Sequence, residues 1–293
     1  HTVAVLTNGS AVTMPWVDEV DGILETWLAG QAGAGGIADV IFGKVNPSGK
    51  LAETFPVRLE DTPTFFNFPG EQGEVLYGEQ IFVGYRYYDK KKIEPLFPFG
   101  FGLSYTEFEY SDLEFSAANI TDRTGLDVSV RIRNSGDVAG KEVVQLYVSD
   151  PQSSLQRPHK ELKKFAKVAL EPGEEKTVTF HLSGRDFSYY DAIRRMWIAE
   201  SGEFVVSAAS SSRDIRLSQS ITLQSTQQVP LAFDEYTFFK DYWENEQTRE
   251  LLKQHFPGWI GGFVPEGKSV DEAEFHDFLV EHPRDKRISG LID

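Results

Sequence analysis

Residues 27–55 read WLAGQAGAGGIADVIFGKVNPSGKLAETF, and this stretch decides how the N-terminal part of the chain folds. It overlaps the run Ile23–Leu28, whose β-branched and aromatic content is typical of a buried strand. A loop of very small residues follows at 30–36, and its backbone is expected to pass close to another part of the protein. The next residues, Ile37–Phe42, predict a short helix that Gly43 ends in the left-handed conformation.

The flanking residues extend this pattern in both directions. Downstream, Asn46–Gly49 predicts a tight turn into an extended segment, Leu51–Phe55. Upstream, Thr2–Leu6 predicts a strand, and Val12–Val20 predicts a short helix with a proline in its first turn. Alternating strands and helices favour a parallel sheet covered by helices. Two or three strands make too small a sheet, so we expect further strands in polypeptide that precedes His1.

Gly33–Ala38 fits the pattern G-x-G-x-x-A between a strand and a helix, which suggests a dinucleotide site. Such a site also needs a full crossover helix and a second parallel strand that ends in an acidic residue. Here the predicted helix stops at Gly43 and a proline turn follows. The nucleotide interpretation is therefore disfavoured.

The middle of the chain, Glu60–Pro98, lacks a regular period and is rich in proline, glycine and aromatic residues. Long irregular segments inside compact proteins are usually functional or packed between domains. The aromatic rings are expected to fill an interface between two domains, with direct stacking on sugars as the alternative. Within this segment, the charged run Asp89–Lys92 is expected to form a solvated turn.

From Phe108 onward the hydrophobic period changes to two, which is typical of strands. About seven short strands within about a hundred residues indicate a β-sandwich. A polar joint is predicted at Ser218–Gln228, followed by helices at Tyr236–Phe256 and Val270–Val280. The clearest predicted strands are Leu126–Arg133, Val143–Val148, Lys160–Val168, Lys176–Leu182, Met196–Ala199 and Gly202–Ala208.

Composition excludes several classes of function. With 29 basic and 45 acidic residues the formal charge is −16, which disfavours nucleic acid and anionic membranes as partners. The chain has no cysteine, no apolar run long enough to span a membrane and no charged-then-apolar leader, and it is compatible with a cytoplasmic or a secreted bacterial protein. Its six histidines have no metal-binding spacing and no serine lies in a G-x-S-x-G context, so no metal or cofactor is predicted.

Four motifs in one order carry a resemblance to a known family. They are Val5–Val12, Gly30–Leu51, Phe82–Tyr88 and Phe97–Thr106. Together they resemble the C-terminal half of glycoside hydrolase family 3, whose best-known members are β-glucosidases. At Ala29–Ala34 the chain departs from the family pattern P-G-Q-E-G-G, because a proline and a carboxylate are missing.

The predicted sandwich resembles the fibronectin type III-like domain that closes enzymes of this family. Its runs Glu161–Phe165 and Leu170–Glu174 are similar to that domain. The resulting fold class is α/β plus all-β: the C-terminal part of an α/β sandwich, then a fibronectin type III-like β-sandwich and a partly helical tail. The predicted domains are 1–60 (α/β part), 61–107 (aromatic interdomain segment), 108–222 (β-sandwich) and 223–293 (aromatic tail).

The resemblance implies a retaining exo-β-glycosidase, most often a β-glucosidase that releases terminal β-D-glucose. Glycoside hydrolysis needs two carboxyl groups across the bond. In the family these are an aspartate on a (β/α)8 barrel and a glutamate on a loop of the second domain, and both positions fall before His1. No catalytic residue is therefore assigned to this chain. The implied partners are the upstream barrel polypeptide and a β-glucoside or oligosaccharide substrate.

Glu74 and Glu79 flank Tyr77 in the aromatic segment and are the carboxylates that we place near a sugar. All three residues are expected to bind substrate. Alternatives within the class are a β-xylosidase and a β-N-acetylglucosaminidase. A different class is a non-catalytic carbohydrate-binding or adhesion module. The half-sheet at residues 1–55 argues against such a module, because its exposed edge would favour aggregation of the free chain.

Overall fold

The computed structural model describes residues 1–230 and 239–255 of the 293-residue chain. Contacts divide the chain into two units. One comprises His1–Asp191 and Met196–Gln227, and the other comprises Ala192–Arg195 and Gln228–Asp293. The first unit contains both the α/β part and the β-sandwich, and it holds every site considered below.

The chain runs through two short parallel strands and two helices before it enters an antiparallel region, and two helices follow that region. Single 3₁₀ turns lie at Val17–Glu19 and Leu59–Asp61. In chain order the elements are β1 Val3–Leu6, β2 Gly22–Glu25, α1 Gly33–Ile41, α2 Tyr85–Lys91, β3 Phe108–Phe115, β4 Asn119–Thr121, β5 Leu126–Asn134, β6 Gly140–Ser149, β7 Glu161–Leu170, β8 Glu175–Leu182, α3 Gly184–Phe187, β9 Tyr189–Asp191, β10 Met196–Ile198, β11 Gly202–Ala209, β12 Ile215–Gln224, α4 Phe239–Glu244 and α5 Glu246–His255.

The α/β part confirms the parallel arrangement and corrects the glycine loop. β1 pairs with β2 in parallel, with Val3 opposite Gly22. α1 begins at Gly33, four residues earlier than predicted, so most of the small residues form its first turns. A Cβ at Gly35 or at Gly36 would meet no described atom within 4 Å, so the described residues provide no close approach at these two glycines. Gly43 follows the helix at φ +72°, as predicted.

After α1 the chain does not make the predicted tight turn at Asn46–Gly49. Instead it runs extended alongside a later segment of the same chain. The Leu51 N–H donates to the Phe101 carbonyl (2.8 Å), and the Phe55 N–H donates to the Phe97 carbonyl (2.8 Å). Partners about fifty residues away thus set this backbone path, and local turn chemistry does not.

The predicted β-sandwich is confirmed. One sheet has the strand order β4-β12-β11-β6-β7 and the other has the order β3-β5-β8. The alternating residues of β5 show how the sequence builds the core, because Val128, Val130 and Ile132 are fully buried while Asp127, Arg131 and Arg133 face solvent. The buried side of each strand packs against the other sheet, and Leu146, Phe180, Phe204 and Val206 join the same core.

The polar joint predicted at Ser218–Gln228 is wrong for most of its length. Residues 215–224 form β12, which lies between β11 and the parallel strand β4. Ile221 and Leu223 are buried, and serine, threonine and glutamine alternate with them on the outer side. A strand with short polar residues on one face has the composition of a loop, and only its neighbours reveal it as a strand.

The described part of the tail contains two short helices where one long helix is predicted over Tyr236–Phe256. The break is at Asn245, whose Oδ1 accepts a hydrogen bond from the Thr248 N–H (3.1 Å) and so caps α5. The predicted helix Val270–Val280 lies outside the described residues. Among the helices that are described, none has the length and apolar character needed to cross a bilayer.

The sandwich core predicts a clear contrast between two phenylalanines. Phe204 is buried in the core on β11 and packs edge-on against Phe187, with ring centroids 5.3 Å apart. Phe165 lies on the edge strand β7 and is 69% exposed. We expect Phe204→Ala to lower the free energy of unfolding by about 3–5 kcal/mol.

Urea denaturation of the two alanine variants measures this contrast. Phe165→Ala is the matched control, with an expected change within about 0.5 kcal/mol. Equal losses in both variants would show that the core is not where the structure has it.

Candidate functional site

A cleft of about 820 Å³ opens in the first unit beside the start of α2. Its walls are the loop at 10–13, the stretch 52–64 and the N-terminal residues of α2. Among the described residues that line it, Glu53 is the single carboxylate and Arg86 the single cation. The Glu53 Oε2 accepts a hydrogen bond from the Ala11 N–H (2.7 Å), which ties two walls together.

The predicted substrate-binding residues lie on a separate exposed segment that leads into α2. Glu71 and Glu74 exchange backbone hydrogen bonds of 3.0 Å in both directions, so the chain folds back on itself here. Glu74 is exposed, and Tyr77 is 77% exposed with its ring in solvent. Neither residue lines the cleft.

Glu79 differs from the other two because its side chain is half-buried. One carboxylate oxygen, Oε2, is buried and has no hydrogen-bond partner among the described residues. A buried oxygen of this kind costs free energy unless a donor reaches it. All three predicted residues lie on this segment, and of the three only Glu79 has a buried acceptor without a partner among the described residues.

Helix α2 follows this segment directly and was not predicted. Its first residue, Tyr85, stacks on Phe99 with centroids 5.0 Å apart and meets the edge of Tyr147 on β6. The Tyr85 hydroxyl accepts a hydrogen bond from the Leu162 N–H on β7 (2.8 Å). Burial raises the pKa of Tyr85 above its ordinary value. The hydroxyl stays protonated and joins the helix to the sandwich.

Asp89 lies one turn further along α2, and the solvated turn predicted at Asp89–Lys92 is wrong for this residue. Its carboxylate is buried and forms two ion pairs, one with Lys160 (2.5 Å) and one with the Arg213 Nε (2.8 Å). Lys90 and Lys91 are exposed, as the turn interpretation expects. The helical period explains the difference, because Tyr85 and Asp89 are four residues apart and share the face that meets the sandwich.

A second group of ion pairs, centred on Glu161 of β7, lies where α2 meets the sandwich. This contact of residues 85–101 with the sandwich is called the junction. Glu161 pairs with Arg86 (3.3 Å), Arg157 (3.2 Å) and Lys163 (3.3 Å). Burial alone would raise the pKa of Glu161, but the three cations together hold it below its ordinary value. The carboxylate therefore keeps its charge to a lower pH than an isolated glutamate does.

The outer face of β6 completes the junction. Gln145 donates from Nε2 to the carbonyls of Gly100 (3.1 Å) and Ser210 (2.6 Å), and its Oε1 accepts from the Tyr147 hydroxyl (2.7 Å). A Cβ at Gly100 would lie 2.2 Å from the Gln145 Oε1, so only glycine fits this approach. β6 is thus buried on both faces, by the sandwich core on one side and by residues 85–101 on the other.

The chemistry that this chain can perform follows from these placements. Hydrolysis of a glycoside needs two carboxyl groups placed on opposite sides of the bond. Glu53 is the one carboxylate among the described lining residues of the cleft, and Glu74 and Glu79 lie outside it. Within residues 1–230 and 239–255 no group of three or more histidine, aspartate or glutamate side chains is arranged to hold a metal ion. The cleft and the exposed segment are therefore suited to binding a ligand and to holding neighbouring parts of the protein in position.

Comparison with protein families identifies two domains in the chain. The profile of the glycosyl hydrolase family 3 C-terminal domain matches residues 1–105. That of the fibronectin type III-like domain matches residues 142–212. The first match contains the cleft and the exposed segment, and the second contains β7, β8, β11 and most of β6 of the sandwich.

Curated relatives of the chain are β-glucosidases. Thermostable beta-glucosidase B of Acetivibrio thermocellus is 48% identical over 292 residues, which cover 100% of this chain and 38% of that protein. Beta-glucosidase BoGH3A of Bacteroides ovatus is 49% identical over 220 residues, which cover 74% of this chain and 30% of that protein. The chain thus spans about a third of the length of these relatives.

Solved structures show the same fold. A β-glucosidase of glycoside hydrolase family 3 from Bifidobacterium adolescentis superposes with a TM-score of 0.76 at 42% identity, over 85% of this chain and 37% of that one. The Kluyveromyces marxianus β-glucosidase in complex with glucose gives a TM-score of 0.72 at 43% identity, over 76% of this chain and 26% of that one.

The Tyr85 hydroxyl provides a test of the junction. Tyr85→Phe keeps the ring and removes the acceptor of the part-buried Leu162 N–H. We expect a loss of about 1–2 kcal/mol in the free energy of unfolding, because a partly desolvated donor is left without a protein partner. Tyr77→Phe is the matched control on an exposed ring and should leave stability unchanged. If calorimetry gives both variants the wild-type melting temperature, the Tyr85 contact contributes nothing.

The lowered pKa of Glu161 makes the free energy of unfolding depend on pH in a predictable direction. A carboxyl whose folded pKa lies below its unfolded value stabilises the fold above the unfolded pKa, and this contribution is lost as the pH falls through the folded value. We expect the stability advantage of wild type over Glu161→Gln to be full above about pH 5 and to shrink below about pH 4. Urea titrations of both proteins across this range measure it. An advantage that grows on acidification would contradict the assignment.

Proposed function

This chain is a C-terminal portion of a glycosyl hydrolase family 3 protein, and on that premise we propose that it completes a retaining exo-β-glucosidase whose catalytic carboxyls lie in upstream polypeptide. The observation that supports this most strongly is the match to β-glucosidases along the whole chain, and it agrees with the single carboxylate among the described residues that line the cleft. The proposed substrate is a terminal β-D-glucoside. The nucleophilic aspartate and the acid glutamate are both assigned to that upstream part.

Exposed apolar side chains of the α/β part support a neighbouring polypeptide. Val3 on β1, Leu28 after β2 and Phe42 after α1 are 49%, 79% and 80% exposed. Several large apolar side chains exposed around a sheet of only two strands are typical of a surface that another polypeptide covers. We propose that the remaining strands of the sheet, and the (β/α)8 barrel before them, cover this surface. A free-standing carbohydrate-binding module would have no use for it.

Glu74, Tyr77 and Glu79 are proposed to border the sugar site of the complete enzyme. A tyrosine ring can stack on the apolar face of a sugar, and carboxylates accept hydrogen bonds from its hydroxyls. The half-buried Glu79 has the unused acceptor oxygen that such a hydroxyl, or a donor of the adjoining polypeptide, would satisfy. Variants of these residues should change KM or the preference for the leaving group more than they change kcat.

The test is activity on a panel of nitrophenyl β-glycosides, measured with this chain alone and with the complete enzyme. Hydrolysis by the complete enzyme and none by the chain alone is expected, since a glycosidic bond is inert without a positioned acid and a nucleophile. The panel includes glucoside, xyloside and N-acetylglucosaminide, with the glucoside expected to be the best substrate. Turnover by the isolated chain would contradict the proposal.

A second arm asks whether a catalytic carboxylate lies in this chain. Glu79→Gln in the complete enzyme should retain kcat within about tenfold. Loss of turnover by several orders of magnitude, with rescue by azide as an external nucleophile, would make Glu79 catalytic. Glu71→Gln, an exposed neighbour on the same segment, is the matched control.

A further inference from the structure

Among the described residues, the exposed segment at residues 70–84 makes no backbone hydrogen bond to the sandwich, and the helix that follows connects it to that domain. In the described structure its hydrogen bonds are local, such as that from the Gln80 N–H to the Tyr77 carbonyl (3.2 Å) and that from the Phe82 N–H to the Glu79 carbonyl (2.9 Å). Gly84 then connects directly to Tyr85 of α2. The position of Glu74, Tyr77 and Glu79 therefore depends on how firmly α2 is fixed.

Asp89 is the more deeply buried of two charged residues that join α2 to the sandwich, the other being Arg86, which pairs with Glu161. The Asp89 side chain is 6% exposed, and its partners Lys160 and Arg213 are 16% and 27% exposed. Removal of one partner from a buried ion pair is strongly destabilising, because the remaining charge is left without compensation. Because both cations must reach the same carboxylate, the two ion pairs restrict the position of α2 relative to the sandwich.

The two cations come from different parts of the sandwich. Lys160 immediately precedes β7, and Arg213 lies in the loop between β11 and β12. Arg213 also donates to the carbonyl of Ile93 (2.9 Å) and pairs with Glu94 (3.1 Å), which holds the chain just after α2. The Asp89 carboxylate therefore forms ion pairs with two separate parts of the sandwich at once.

We propose that Asp89 is a positioning residue through which the fibronectin type III-like sandwich sets the place of the segment that carries Glu74, Tyr77 and Glu79. The sandwich then contributes to substrate binding without a residue at the sugar, by fixing the border of the site where the leaving alcohol departs. The kinetic part rests on the proposed function, whereas the structural part does not. The experiment has one arm for each.

The structural experiment measures a distance between two spin labels in this chain. Because the chain has no cysteine, two introduced cysteines are its only sites for thiol-specific labels. Spin labels at Tyr77→Cys, on the exposed segment, and Thr179→Cys, on the exposed face of β8, report the distance between segment and sandwich. We expect one narrow distance distribution with Asp89 present and a clearly broader one with Asp89→Asn. Asp89→Glu should restore most of the narrow distribution.

The matched control for this arm is Asp112→Asn. Asp112 pairs with Arg131 (3.1 Å) on the outer face of the sandwich, where both side chains are half exposed. An exposed pair contributes little, so the distance distribution should stay narrow. Equal widths for Asp89→Asn and the wild type would overturn the proposal. If Asp89→Asn does not fold, Lys160→Gln, which leaves the Arg213 pair in place, is used with the same criteria.

The kinetic arm uses the complete enzyme and an aryl β-glucoside. We expect Asp89→Asn to raise KM by about tenfold while kcat falls by less than about threefold, because misplaced border residues weaken binding more than chemistry. Phe204→Ala, which destabilises the core away from the junction, should leave KM unchanged below its melting range. An inactive wild-type enzyme would refute the proposed function, whereas an active one with an unchanged KM for Asp89→Asn would refute this inference alone.

Discussion

The buried carboxylate of Asp89 is the interaction on which the rest of the first unit depends. A charge removed from water is tolerated only where opposite charges and hydrogen bonds replace the lost hydration. Lys160 and Arg213 provide that replacement at 2.5 and 2.8 Å, and both belong to the sandwich. The α/β part can therefore keep α2 in place only while the sandwich is present and correctly oriented.

Apolar and neutral contacts reinforce the same junction. The stacked rings of Tyr85 and Phe99, and the three hydrogen bonds of Gln145, cover the outer face of β6. A strand buried on both faces cannot belong to an independently attached module, because removing either neighbour would expose its polar and aromatic groups. In this chain the sandwich is thus part of the scaffold that holds α2 and residues 85–101 in place.

The sequence predicts those elements whose pattern is decided locally. β5 alternates cleanly because one face meets the core and the other meets water. The strand predicted at Leu126–Arg133 therefore agrees with the observed strand Leu126–Asn134 to within one residue. β12 has serine, threonine and glutamine on its outer face, and only its place between β11 and β4 identifies it as a strand. The turn predicted at Asn46–Gly49 fails for a related reason, since Phe97 and Phe101 set the path of the following segment.

The candidate site also contains residues that the sequence predicts and a residue that it does not. Composition and motif order place Glu74, Tyr77 and Glu79 in the segment before α2, and their role in binding stays a prediction. The burial of Asp89 was missed because its partners lie 71 positions away at Lys160 and farther still at Arg213. The signal that was available is the spacing of Tyr85 and Asp89, which puts an aromatic ring and an acid on one helical face.

The most direct test of this account is native-state hydrogen exchange of the α2 backbone, compared with exchange in β6. If the junction makes the α/β part and the sandwich one cooperative body, the amides of Tyr88–Lys91 will open with the same free energy as those of Val144–Val148, and both will follow global unfolding. Exchange from α2 through a separate opening of much lower free energy, while β6 remains fully protected, would contradict it.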